Sequence, residues 1–380
     1  MIHKNHVCII VNLLFMSAIM LLSGCVGNSR SVDEDNEIEL VFNGDSLSIT
    51  DEFDSVELVR LDNKIEALLT DPLKMIVNDA SIIVLDKDGH TINAYDHEGA
   101  FINKIGRKGH GRGELTRVYN CCSNTAGDTI AVLQHNSVSF YSGKGAFLGN
   151  MSFGNNEYWD DILLWNGNLL LASYHRNTGH LFSKRDLKGN VLANYVEQPN
   201  DLLRLTPSVV NQLQQDEKTI CFYDYPTSTF YLIDKNTESI KTISLKSNHI
   251  TSESQVRESN AHAIDHDHFT SYTYDSGIIR GNLNYISEGE VMSLNSKIDT
   301  QTMDMKLMRS NGRVYDFMAA HDGCFYSLLP SALLMGIQQM DISEVGYSEI
   351  LKSLKEAADS LSDNIQETDN FYLLKMKIRR

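Results

Sequence analysis

Apolar residues in this chain fall in short runs parted by turn chemistry, and only one late stretch shows helical spacing. The clearest example is the segment 81–115, SIIVLDKDGHTINAYDHEGAFINKIGRKGHGRGEL. It reads as three strands, SIIVLD, TINAYD and AFINKIG, with Asp/Gly turns DKDG and DHEG between them and a glycine-rich exit. Weaker copies follow downstream. The second turn recurs as DHEG at 96–99, SGKG at 142–145, DLKG at 186–189, DKNT at 234–237 and SEG at 287–289. Such a spacing, about 45 residues, is that of four-stranded propeller blades.

With strands A to D counted from the centre outward, blade 1 takes 74–78, 81–86, 91–96 and 100–105. Blade 2 takes 129–133, 138–142 and 146–151 as B to D, and blade 3 takes 162–165, 169–174, 180–186 and 191–196. Blade 4 takes 219–223, 229–234 and 239–245; blade 5 takes 269–274, 278–286 and 290–294. Blade 6 opens with 314–319 and 324–328, and then the rhythm breaks. At 341–363, Ile350, Leu354, Ala357 and Leu361 recur at helical spacing, and Asp341 with Glu344 forms a capping box. The strand-like 370–378, NFYLLKMKI, is left without a neighbour, as is 55–61, SVELVRL. Taken as strands C and D of blade 6, they close the ring and remove its open edges. The expectation is an all-β, six-bladed β-propeller of four-stranded antiparallel blades over 49–380, with a short helical insertion near the C-terminus.

Composition narrows the partners. At 42% hydrophobic and 22% charged the chain is globular, and its net charge of −17 speaks against nucleic acid. Of six cysteines, Cys121 and Cys122 are adjacent, and neighbours rarely bridge. With Cys221 and Cys324 they read as small buried apolar residues. No Cys/His spacing suggests zinc, and no cofactor is expected.

The first six residues, MIHKNH, are mildly basic, 7–22 is an apolar run, and LSGC ends at Cys25. This resembles the lipobox of bacterial lipoproteins, which implies a signal peptide over 1–24 and fatty acylation (palmitate or similar) of Cys25. Residues 25–48 read as the lipidated cysteine and a polar tether. Asp33-Glu34-Asp35 resembles, at a longer distance, the acidic signal for surface export in gut-type Gram-negative bacteria. The expected address is the outer membrane, on its periplasmic or cell-surface face, held by the lipid anchor.

The order of blades, the run GRKGHGRGEL at 106–115 and the late strand near the C-terminus resemble the six-bladed, NHL-like β-propeller lipoproteins of gut commensals. Such proteins usually carry proline where Arg112 stands here. The resemblance implies a fold and an envelope location.

In a propeller the B–C turns and D–A connections share one face, which selects candidate residues. The 106–113 loop carries Arg107, Lys108, His110 and Arg112 among glycines, a set that suits a carboxylate, sulfate or phosphate. The B–C hairpins offer His135 in blade 2, Tyr174-His175-Arg176, Asp224-Tyr225 and Tyr274-Asp275, with Tyr158 and Trp159 in the next D–A connection. Rings beside Asp, Arg and His suit a sugar or a peptide. His266 and His268 share a strand face flanked by carboxylates, yet no third ligand can be named, so the expected metal content is none. GxSxG, HExxH and SxxK are absent from 25–380. The helix is expected to cap the central pocket. The expected role is a binding module for a glycan, a peptide or a partner such as an outer-membrane protein. A lyase or hydrolase using His, Tyr and Arg residues on the same face is the alternative.

Overall fold

The computed structural model describes residues 29–30, 37–42, 46–48, 52–86, 91–154, 157–173, 179–197, 213–224, 229–247, 272–274, 277–279, 284–287, 290–293, 296–300, 302, 305–309, 317–342, 349–361 and 365–379. Four strands precede the first blade: β1 (Ser29–Arg30), β2 (Glu37–Phe42), β3 (Ser46–Ser48) and β4 (Phe53–Arg60). Blade 1 is β5 (Pro72–Val77), β6 (Ile82–Asp86), β7 (Thr91–Tyr95) and β8 (Phe101–Lys104). Blade 2 is β9 (Val118–Ser123), β10 (Thr129–Gln134), β11 (Ser137–Ser142) and β12 (Phe147–Ser152). Blade 3 is β13 (Asp161–Trp165), β14 (Asn168–Ala172), β15 (His180–Arg185) and β16 (Val191–Glu197). Blade 4 is β17 (Leu213–Gln215), β18 (Thr219–Asp224), β19 (Thr229–Asp234) and β20 (Ile240–Ser247). A separate hairpin, β21 (Tyr272–Tyr274) and β22 (Gly277–Ile279), precedes blade 5. Blade 5 is β23 (Asn284–Ser287), β24 (Glu290–Ser293), β25 (Ser296–Asp299) and β26 (Met305–Arg309). The closing sheet runs β27 (Phe317–His321), β28 (Cys324–Leu329), β29 (Tyr372–Ile378) and then β4. The innermost strands β5, β9, β13, β17, β23 and β27 touch in succession, and β27 returns to β5.

The chain is thus an all-β propeller of four-stranded antiparallel blades. The expectation of six blades is corrected to five, each built of consecutive strands; beside them stands the closing sheet, made from both ends of the chain as expected. Blade 5 is also shifted by two strands from the expected phase: 290–294, expected as strand D, is strand B. SEG at 287–289 joins β23 to β24, an A–B turn and not a C–D turn, and 272–274 lies in the separate hairpin. The segment 25–48, expected as a tether, supplies fifth strands that pair in parallel with the outer strands of blades 3, 4 and 5. These strands cover edges that would otherwise be open.

Side-chain alternation packs each blade against the next. Ile83, Leu85, Ile92 and Ala94 of blade 1 meet Cys121, Ile130, Val132 and Tyr141 of blade 2. Cys122, Ala131, Leu133 and Phe140 face the other way, onto Ile162, Leu164, Leu169 and Leu171 of blade 3. Adjacent cysteines therefore enter different cores. Cys121, Cys122, Cys221 and Cys324 are all free and buried, and burial pushes the Cys121 thiol up to about 11.

A tyrosine ending strand C clamps the connection that arrives from the previous sheet. Tyr95 donates to the carbonyl of Ala67, and Tyr141 to that of Gly113 at 3.2 Å. Each tyrosine stands edge-on to a phenylalanine of strand D, Phe101 at 5.9 Å and Phe147 at 5.7 Å.

One face of the closing sheet, with Tyr326, Leu328 and Leu373, packs on blade 1. The other face, with Phe325, Leu374 and Met376, is covered by α1 (Ser331–Gln338) and α2 (Glu349–Asp359). The helix expected over 341–363 is present as α2, and α1 precedes that span as a second, unexpected one; their buried stripe is Leu334, Ile337, Leu351, Leu354 and Ala358. They pack on this sheet and beside β4, which corrects the expected cap over the central pocket. Glu344 of the expected capping box lies outside the described residues.

The expected pairing of the two chain ends is present, with Leu58 opposite Leu374 and Val56 opposite Met376. Asp369, its side chain 2% exposed, accepts from Arg60 at 2.6 Å, Asn63 at 2.8 Å and the Tyr372 hydroxyl at 2.9 Å. Beside it, the Asn370 amide donates to the carbonyls of Asp62 and Ala67 and accepts from the N–H of Leu69. Burial works against ionisation of Asp369, but the N–H of Gln366, Tyr372, Asn63 and Arg60 outweigh it and hold the carboxyl below its ordinary 3.8. A carboxylate with a depressed folded-state pKa stabilises the fold above the unfolded value, and this is lost as pH falls through the folded one. Asp369→Ala is expected to lose about 2–3 kcal/mol near neutral pH. The difference from the parent should shrink below about pH 4, as read by urea unfolding across a pH series.

Candidate functional site

Three connections meet at one end of blade 2. The loop entering the blade is tied to its B–C turn by Thr116, whose N–H and hydroxyl both donate to Gln134 Oε1 at 2.9 and 3.1 Å. The connection leaving the blade is tied to the same turn by the N–H of Phe153, which donates to the Asn136 carbonyl at 2.8 Å. His135 stands exposed between them.

An aromatic row crosses this end. Arg117 lies 5.0 Å over the Tyr119 ring, and Tyr119 packs 6.0 Å from His135 with its hydroxyl 3.2 Å from Nδ1. His135 in turn packs 4.8 Å from Tyr158. Tyr119 reaches the row because of a bulge: Leu133 pairs with Asn120 and Gln134 with Val118, so Tyr119 has no partner opposite and its side chain is re-aimed. Tyr158 is 38% exposed while the next residue, Trp159, is 5% exposed. Trp159 lies under Arg185, whose guanidinium is 5.4 Å from the indole and 5.6 Å from Phe153 and pairs with Glu157 at 2.7 Å. The connection is thereby pinned with Tyr158 outward and Trp159 inward. Trp159 does not form part of the ligand wall expected of it.

The 106–113 loop sits where expected, between β8 and β9, but its backbone serves the loop itself. Leu115 N–H donates to the Arg107 carbonyl at 2.7 Å and Gly109 N–H to the Leu115 carbonyl at 3.0 Å. Glu114 folds inward, accepting from Gly111 N–H at 2.8 Å and pairing with Arg107 at 2.8 Å. The Gly111 N–H, with Arg107 beside it, holds the Glu114 carboxyl below its usual value. Any side chain at Gly109 would strike the Glu114 carboxylate, so glycine there makes room for it. Lys108, His110 and Arg112 point to solvent, and among the described residues they have no ion-pair partner.

A second polar cluster lies on the inner strands. Lys74 Nζ donates to Asn120 Oδ1 at 2.6 Å and lies 3.4 Å from Asp161 Oδ1; Asn120 Nδ2 donates to that oxygen at 2.8 Å. Asp161 Oδ2 accepts from the Leu213 N–H at 3.0 Å. Lys74 and Asp161 are 7% and 1% exposed, so this chain of bonds fastens blades 1 to 4 together at the centre. Sequence reading missed it, because residues on successive blades meet only when the ring forms.

The remaining candidates separate. Asp224 is wholly buried at the end of β18, which removes it from an open face. Tyr274 is in the hairpin outside blade 5, so it does not occupy the B–C turn expected of it. Cys25, Tyr174, His175, Arg176, Tyr225, His266, His268 and Asp275 lie outside the described residues. Among the described residues no three His, Cys, Asp or Glu side chains are grouped to hold a metal ion. Replacing neighbours should tell wall from core. Trp159→Ala is expected to cost about 3–5 kcal/mol, and Tyr158→Ala within about 0.5 kcal/mol, in chemical unfolding.

No curated protein matches this sequence. Among solved structures, the fold recurs in a Bacteroides fragilis protein described as exported, with TM-score 0.62 and 15% identity over 91% of this chain and 99% of that one. A DUF4221 member from Bacteroides vulgatus matches with TM-score 0.44 and 10% identity, covering 86% and 97%. A streptogramin B lyase matches with TM-score 0.42 and 12% identity, covering 72% and 80%. The family model described as Domain of unknown function (DUF4934) matches residues 35–377, and the chain belongs to that family.

Proposed function

We propose that this protein is a lipid-anchored, extracytoplasmic β-propeller of the outer membrane that binds a glycan on the open end of blade 2. The observation that carries the reading is the row Arg117–Tyr119–His135–Tyr158, exposed at Arg117, His135 and Tyr158 and half-buried at Tyr119. Rings held at tilts of 33° and 57° by their own packing offer apolar faces for the C–H faces of sugars, and the His and Tyr heads add directional hydrogen bonds. The row draws on two connections and a turn that are already bonded to one another, so little ordering remains to oppose binding. LSGC at 22–25 supports acylation of Cys25, and the exported structural relative is in keeping with a location outside the cytoplasm.

Two experiments test this. Cells fed labelled palmitate should mark the protein, and Cys25→Ala should remove the label. Mature protein in detergent, screened against glycans and peptides, should retain at least one glycan. Tyr158→Ala should then weaken that binding about tenfold, near 1.4 kcal/mol. A retained ligand indifferent to Tyr158→Ala and His135→Ala would displace the site.

A further inference from the structure

We infer that the glycan is acidic: its sugar rings lie along Tyr119, His135 and Tyr158 while its carboxylate or sulfate groups meet Lys108, His110 and Arg112. This rests on the glycan reading above and adds the chemical class of the ligand.

Charge is the first ground. The chain carries −17 overall, yet Arg107 to Arg117 holds Arg107, Lys108, Arg112 and Arg117 against Glu114 alone, with His110 besides. Glu114 is used up by Arg107 and the Gly111 N–H. Lys108, His110 and Arg112 stay exposed, and their heads have no carboxylate among the described residues. Such a local concentration of free cations in an acidic protein calls for an anionic partner at short range.

Continuity is the second ground. The loop folds back on itself, with Lys108 bridged to Leu115, and the next residue, Thr116, is bonded to Gln134 beside His135. The cations and the rings therefore belong to one bonded assembly. Arg117, the residue after Thr116, lies over Tyr119.

The state of the backbone decides between kinds of anion. A compact phosphate is held by a nest of free N–H groups. In this loop the N–H groups of Gly109, Gly111, Glu114 and Leu115 are taken by the loop's own acceptors. What is left is the exposed side chains of Lys108 and Arg112 with His110 between them in sequence, which match anionic groups repeated along a polymer. The field of an acidic protein opposes the closely spaced phosphates of a nucleic acid at long range, while contacts at the loop with more widely spaced anions still operate within the screening length of about 10 Å.

The test compares mature protein in detergent against polygalacturonate and its methyl ester, and against chondroitin sulfate and its desulfated form, by calorimetry. Duplex DNA and poly-glutamate serve as non-sugar polyanions. The free acid or the sulfate should bind at least about tenfold tighter than its neutral partner. The Lys108→Ala/Arg112→Ala variant, its side chains exposed and its melting temperature expected to match the parent's, should bring the charged form down to the affinity of the neutral one. The carboxylate and sulfate arms identify which anion is read. Equal affinity for charged and neutral forms, with loss on Tyr158→Ala, overturns the inference and leaves the glycan reading standing. Binding of DNA or poly-glutamate as tight as the charged glycan overturns it in favour of a bare basic patch. Binding of no glycan sinks both.

Discussion

Pairing of β4 with β29 is the constraint on which the rest of this structure depends. In each blade one face is completed only by its neighbour, so an open ring would leave apolar surface at both ends. The junction joins residues more than 300 apart in sequence, and its loop-closure cost is met by a long strand pair, the Asp369 cluster and the Asn370 amide. The same junction launches the connection 61–71, which Asp86 receives by accepting from the N–H groups of Thr70 and Asp71. Closure thus also fixes how the first blade is presented.

Much of this was legible because strands B, C and D bury alternating apolar residues and end in Asp/Gly turns. Asp96, for instance, accepts from the N–H groups of Glu98 and Ala100, and Asp186 from those of Lys188 and Asn190. The innermost strands were harder to read. VYNCCS and LQQ carry polar residues, since an inner strand faces the axis, where Lys74, Asn120 and Asp161 bond to each other. The parallel strands β1 to β3 were invisible for another reason: they are short, and their partners lie far off in sequence. Blade 5 slipped because a Ser-Glu-Gly turn serves an A–B connection as well as a C–D one.

The candidate site shows the same division. His135 and Tyr158 followed from the topological rule that B–C turns and D–A connections share a face, and the structure brings their rings within 4.8 Å. Tyr119 did not follow, because a bulge and not a strand rule sends it there. Trp159 misled because the direction of a side chain in a connection depends on what pins it, here Arg185 and Glu157. The basic residues among the glycines of 106–113 suggested a clamp for an anion, and Arg107 with the Gly111 N–H does hold a carboxylate, but it is that of Glu114 in the same chain.

That internal carboxylate changes how the loop works. Left empty, a glycine-rich loop would sample many conformations and spend binding free energy on ordering. With Glu114 tied to Gly111 and Arg107, and Tyr141 holding the Gly113 carbonyl, the loop is shaped before any ligand arrives. Gly113 has φ +72°, and a side chain there would strike Phe147, so the same packing that joins blades 1 and 2 sets the loop's exit. The exposed cations then project from a fixed frame. The shape of this face is thus a product of ring packing, with Glu114 supplying the order and the basic side chains left exposed.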